Sequence, residues 1–172
     1  FLQYHPSAQF VQVTKPVVDI LHRKYKYYGT QFGSEIRIDL QKWNLKGGKK
    51  QVIRTAINQS ATLGVEVRES HKDDHAEEIS RSWIKTRACS RQEIRFLLRT
   101  LKNEYKENSR HFYAYLKGRP VGFIFFDPIY EGNRIVSYVP NISRSCPSFK
   151  QGLWYVIMNH AMEIFKQEGV PY

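Results

Sequence analysis

The sequence is poor in cysteine, with only Cys89 and Cys146 in 172 residues. They have no Cys-x-x-Cys spacing and no disulfide framework around them, which fits a reducing cytoplasm better than export. Long apolar runs are missing too: Val121–Phe126 falls far short of the ~20 residues that span a bilayer as a helix. No signal peptide is visible, and the chain opens on Phe1 rather than Met, so a fragment of a longer chain is expected. Phosphate loops of the Gly-x-x-x-x-Gly-Lys-Ser/Thr type, Gly-x-Gly-x-x-Gly turns and Gly-x-Ser-x-Gly elbows are all absent. Acidic residues are scarce, 16 against 27 Lys and Arg, and none occurs from Gln41 to Val65.

What is present is a basic, aromatic-rich chain of one domain, or one domain plus part of another. Its hydrophobic content of 41% and aromatic content of 14% can build a substantial core. The net charge of +11 favours polyanions: nucleic acid, anionic membrane or a phosphate-bearing cofactor.

Phe1–Tyr4 and Gln9–Val13 read as short extended pieces. A helix is expected from Thr14 or Lys15, with Pro16 in its first turn and Gly29 closing it. Gly33–Leu40 alternates Ile36, Ile38 and Leu40 with charged residues, as a half-buried strand does. After Gly47-Gly48, a helix beginning at Lys49 turns Ile53, Ala56, Ile57 and Ala61 to one side and ends at Gly64. Val65–Arg68 is a strand. Asp73 or Asp74 then caps a helix with Ile79, Trp83 and Ile84 inward. Next, Arg91, Arg95, Arg99 and Lys102 fall on one stripe of a helix, a solvated face or one for RNA or anionic lipid.

His111–Glu168 is the centre of the chain. Phe112–Leu116 and Val121–Phe126 form a hairpin around Lys117-Gly118-Arg119-Pro120, where Gly118 supplies a positive φ and Pro120 ends the turn. Ile135–Ile142 is a third strand, and Gly152–Glu168 a helix stopped by Gly169. Mixed helices and strands with an antiparallel hairpin give the class α/β (α+β). A helix following a strand end presents unpaired N–H groups to an anion. Asn141, Ser143 and Arg144 are expected at that turn, with Arg144 able to hold a phosphate or carboxylate in a fork and Gly152 allowing close approach. Lys46, Lys49 and Lys50 crowd a helix N-terminus, where positive charge is unfavourable unless a phosphate joins them; the alternative is a solvated basic end. His71 and His75 are four apart and next to Asp73 and Asp74, a spacing that could hold a metal if helical, but the segment is polar and turn-like with no third His or Cys nearby, so no metal site is expected. His160 is read as a packed core residue, and Cys146 has no neighbouring base.

Two segments carry a family resemblance. One runs Leu45-Lys46-Gly47-Gly48-Lys49-Lys50-Gln51, through Arg54-Thr55-Ala56-Ile57-Asn58, to Leu63-Gly64. The other holds Gly118-Arg119-Pro120-Val121-Gly122-Phe123, Asn141-Ile142-Ser143-Arg144, Pro147, Gly152 and Glu168-Gly169-Val170. Together they resemble the C-terminal domain family of phosphatidylglycerol lysyltransferases, GNAT-like transferases that use aminoacyl-tRNA. The resemblance implies a GNAT-like acyltransferase fold, a mixed sheet with an antiparallel hairpin flanked by helices. Residues 1–40 would be the C-terminal part of a first GNAT-like unit, and 41–172 a second unit. That second unit would be truncated after Tyr172, where the family continues into another strand.

The implied activity moves an amino acid from aminoacyl-tRNA to a lipid head group or another small acceptor, with no further cofactor. Lys46, Lys49, Lys50, Arg54 and Gly152 would then meet tRNA or lipid phosphate, and Asn141, Ser143 and Arg144 the reacting ends. Tyr138 is the candidate for proton transfer. The implied location is cytoplasmic, peripheral to the inner face of the membrane at an anionic phospholipid surface. In the lysyltransferases an Asp stands three residues before the motif Arg; here it is Asn141, which points to a branch apart from lipid lysylation. Of the Gln/Arg-x-x-Gly-x-Gly/Ala turn that holds acetyl-CoA in other GNAT enzymes, only Gly152 remains. Two alternatives stay open: an N-acyltransferase using acetyl-CoA or acyl-CoA, and a catalytically silent module that binds RNA or anionic membrane.

Overall fold

The computed structural model describes residues 2, 4–5, 7–11, 13–70, 75–86, 101, 107–149 and 152–172. It divides into two compact units, Phe1–Arg37 and Ile38–Tyr172. In the first, helix α1 spans Lys15–Tyr25 with Pro16 in its opening turn. Lys26, at φ 61°, closes it by donating its N–H to the His22 carbonyl at 3.0 Å. The helix therefore ends before the expected Gly29, whose role is spatial: a Cβ there would lie 2.7 Å from Val18 Cγ1. The expected strand Gly33–Leu40 is not formed. Alternation alone does not make a strand, because its backbone N–H groups need a neighbouring ladder, and the four-stranded sheet includes no part of this segment. Ile36 is 86% exposed as a result. Residues 7–11 also lie outside any strand.

The second unit is built on an antiparallel sheet. A short 3₁₀ turn, Gly48–Lys50, leads into helix α2, Gln51–Thr62, and strand β1, Val65–Glu69, follows. Helix α3 covers Ala76–Ile84; strands β2, β3 and β4 are Arg110–Leu116, Arg119–Glu131 and Arg134–Ser145; helix α4 is Leu153–Gln167. The sheet order is β1-β2-β3-β4, with every neighbouring pair antiparallel. The hairpin–strand–helix order expected of a GNAT-like core is present as β2, β3, β4 and α4.

The hairpin turn is made by Lys117 and Gly118, both at positive φ (50° and 75°). That pair of conformations matches the right-handed twist of the strands. Pro120 belongs to β3 rather than ending the turn, and pairs with Tyr115 where the register shifts. Proline lacks an N–H and is tolerated at such an irregularity.

The unbroken apolar run of β3 is explained by burial on both faces. Phe112, Ala114, Ile124 and Phe126 pack under α4 with Leu153, Ile157, Ala161 and Phe165. Tyr113, Phe123, Phe125 and Ile142 meet Ala76 and Ile79 of α3 on the other side. Each fully buried Phe contributes roughly 1.5–3 kcal/mol, so the β2–β3 hairpin anchors both cores. Arg110 ties the layers together. Its Nε and Nη2 donate to the two carboxylate oxygens of Glu69 on β1, each at 2.6 Å, and its Nη1 donates to Glu168 just past α4. The tail closes on the same unit: Leu40 N–H donates to Pro171 O at 3.0 Å, and Tyr172 N–H to Val136 O at 3.2 Å.

Candidate functional site

One of three register shifts in the sheet lies where β4 passes Phe125 and Phe126. Phe125 pairs with Ile142 but Phe126 pairs with Pro140, so Asn141 is an extra residue with no partner opposite. Pro140 cannot donate to the ladder, and a bulge is where a sheet accepts it. The bulged residue leaves the ladder, and its side chain is re-aimed. Asn141 Nδ2 donates to Asp127 Oδ2 at 2.5 Å, which fixes the orientation of the amide. Asn141, Ser143 and Arg144, expected at a turn beyond the strand, are therefore within β4, which runs on to Ser145.

Strand alternation separates these residues. Ile142 faces the α3-side core, and Ser143, opposite Ile124, turns toward the α4 side. Arg144 returns to the α3 side, opposite Phe123, and is only 5% exposed. Its guanidinium lies 3.9 Å from the centroid of the Trp83 ring, and Nη1 donates to the Ser143 carbonyl at 2.8 Å. A cation over an indole face is attracted by the ring quadrupole. Tyr138 faces the opposite core, stacked on Phe165 at 4.4 Å. Burial raises the pKa of its phenol, opposed by the nearby Arg110. The structure thus places Tyr138 and Arg144 on opposite faces of the sheet.

The basic cluster is partly committed to its own loop. Lys50 Nζ donates to Asn44 O at 2.7 Å and lies 3.4 Å from the Trp43 ring centroid. Arg54 Nη1 donates to Leu45 O at 2.5 Å and to Gly47 O at 2.8 Å. These carbonyls offset the unfavourable positive charge at the start of α2 without an added anion. Lys46 and Lys49 are exposed.

Gly152, at φ 66°, is the N-cap of α4. A Cβ there would lie 3.1 Å from Ala56 Cβ on α2 and 3.2 Å from Tyr155 Cδ2. The glycine brings the starting turn of α4 against α2. Gly122 does the same from the sheet, where an added Cβ would meet Leu153 Cδ2 at 2.6 Å and the Arg144 carbonyl at 3.1 Å. Asp127, Trp83, Ala56 and Gly122 were not singled out as site residues by sequence. Two visible signals were a proline and a glycine inside strand-like runs. Arg91, Arg95, Arg99 and Lys102, with His71, Asp73 and Asp74, lie outside the described residues. No cluster of three metal-ligating side chains occurs among the described residues.

The model of the family described as phosphatidylglycerol lysyltransferase, C-terminal, matches residues 1–172. The chain belongs to this family. Among solved structures it is similar to L-PGS from Bacillus licheniformis, with a TM-score of 0.64 and 17% identity over 78% of this chain and 41% of that one. It is also similar to the C-terminal domain of a putative lysylphosphatidylglycerol synthetase from Agrobacterium fabrum. There the TM-score is 0.60 and the identity 18%, over 78% of this chain and 43% of that one. The chain therefore spans less than half the length of either structure. Comparison with curated proteins gives no match. The bulge at Asn141, with its Asn–Asp contact, is the candidate site. No helix among the described residues is long and apolar enough to cross a membrane.

Proposed function

We propose that the chain forms the acyl-transfer part of an aminoacyltransferase, which moves an amino acid from aminoacyl-tRNA to a lipid head group or another small acceptor. The observation that carries this reading is the family match over the whole chain. The net charge of +11 suits both tRNA and an anionic lipid surface. In this reading residues 1–40 are the end of a first GNAT-like unit and 41–172 most of a second.

The chemistry asks little of side chains, because an aminoacyl ester is already activated. The acceptor attacks the ester carbonyl carbon, the bond to the ribose oxygen breaks, and the tRNA hydroxyl leaves with the proton. Catalysis then consists of alignment and of donors aimed at the developing oxyanion. In this reading the Asn141 main chain, which pairs with no residue opposite, supplies one such donor, and the Asp127 contact holds that strand segment in place. Arg144, stacked under Trp83, is a positioning residue for the same bulge. Lys46 and Lys49, left exposed, meet the phosphates.

The test uses the full-length protein, charged tRNAs carrying radiolabelled amino acids, and lipid and amine acceptors. Transfer of label is expected, with a loss of about a hundredfold in Asn141→Ala, which keeps the main-chain donor but releases the strand segment that aims it, while its thermal midpoint stays near that of the wild type. No transfer from any charged tRNA refutes the proposal. Transfer of an acetyl group from acetyl-CoA instead assigns the acyl-CoA reading.

A further inference from the structure

A second recess lies away from the bulge, between α2, β1 and α4. It is a half-open recess of about 240 Å³. Ile57 and Ala61 of α2, Val65 and Val67 of β1 and Val156 of α4 give it aliphatic walls. Its polar lining comes from Ser60, Asn159, His160 and Glu163. Three features distinguish it from a packing defect. Ser60 is wholly shielded from solvent, and its hydroxyl has no hydrogen-bond partner among the described residues. A buried hydroxyl without a partner costs about 1–3 kcal/mol. Asn159 is held in place, since its Oδ1 accepts from Trp43 Nε1 at 3.2 Å, which leaves its amide N–H groups and orientation defined. Finally, burial lowers the pKa of the His160 imidazole, against the pull of Glu69. Glu163 is the acidic side chain of the lining, and no ion pair to it occurs among the described residues.

The geometry points to a binding site for a small primary alkylammonium ion, its hydrocarbon against the valines and its ammonium at Glu163. Size agrees: a cavity of about 150 Å³ accepts a six-carbon ring, so this one accommodates a chain of six or seven heavy atoms. Charge complementarity selects the cation over an anion of equal length. The inference does not rest on the transferase reading, because neither Asn141 nor Arg144 lines the recess.

The probes are n-hexylamine, protonated at pH 7, and hexanoate. Each is titrated into the isotopically labelled chain while amide shifts are followed in α2, β1 and α4. Saturable shifts confined to those elements are expected for hexylamine, with affinity roughly fivefold or more above hexanoate, as suits a half-exposed charge pair. Glu163→Gln, a partly exposed and isosteric change, should erase that preference. Ala61→Trp adds a ring at an exposed lining position and should abolish both titrations. Absence of saturable shifts, equal binding of the two probes, or a preference that survives Glu163→Gln overturns the assignment.

Discussion

Replacing Arg110 by Met keeps the aliphatic stem over Phe112 and Phe165 but removes the guanidinium that joins β1, β2 and the end of α4. The Arg110 side chain is 14% exposed, Glu69 22% and Glu168 45%. Glu168 can rehydrate; Glu69 is largely trapped. Removing one partner of a buried pair costs about 3–5 kcal/mol, and the residual exposure of Glu69 places this case near 3 kcal/mol. At roughly 3–4 °C per kcal/mol for a domain of this size, the melting midpoint falls by about 10 °C. Glu69→Gln leaves Arg110 its bond to Glu168, so the expected loss is nearer ~1.5 kcal/mol. Arg110→Met combined with Glu69→Met removes both desolvated charges and should return to within about 1 kcal/mol of the wild type. Urea unfolding of these proteins, together with Glu69→Met alone, measures the cycle formed by the two Met substitutions. A loss below about 1 kcal/mol in Arg110→Met, or a double variant as unstable as the two single losses added, refutes the argument that a trapped carboxylate sets the cost.

Three further outcomes are expected. Gly122→Ala places a Cβ against Leu153 and the Arg144 carbonyl, and should lose about 1–3 kcal/mol by overpacking; unfolding in urea at wild-type stability would contradict this. Asn141→Asp sets a carboxylate beside that of Asp127. The folded pair then holds a proton more tightly than the unfolded chain, so the variant should be destabilised at pH 7 and recover toward pH 4; a loss that does not depend on pH would argue against the Asn141–Asp127 contact. His160, with its folded pKa below its unfolded value of about 6.5, contributes full stability above that value. Its contribution declines as pH falls from there to the folded pKa. His160→Phe should flatten that acid limb in thermal melts from pH 8 to 5, and an unchanged slope would refute the burial effect.

The hairpin, α2 and α4 were legible because their signals are local. Positive-φ residues sit between two β-rich runs, and apolar residues recur at helical spacing. Gly33–Leu40 misled because period-two alternation reports which face a side chain would take, not whether a neighbouring strand exists. The site was harder. Asn141, Ser143 and Arg144 are adjacent in sequence, yet the pleat sends successive side chains to opposite faces and the bulge resets that order. Pro140 was the available clue, since a proline inside a strand run marks an irregular ladder. The partners of Arg110 lie 41 and 58 residues away, a distance at which no periodicity speaks. Lys50 and Arg54 read as free cations because main-chain carbonyls, their actual partners, are invisible to residue-type reasoning.

The chain has three tryptophans, and the fold gives each a different electrostatic setting. Trp43 lies beneath the Lys50 ammonium, Trp83 beneath the Arg144 guanidinium, and Trp154 stands 42% exposed in the first turn of α4. Indole emission responds to charge and hydration, so variants keeping one tryptophan at a time give three separate optical channels. They report on the loop before α2, on the α3–β4 face, and on the turn that faces α2. The molecule thus carries its own probes for testing the proposed tRNA, lipid and amine binding by fluorescence, with no label attached.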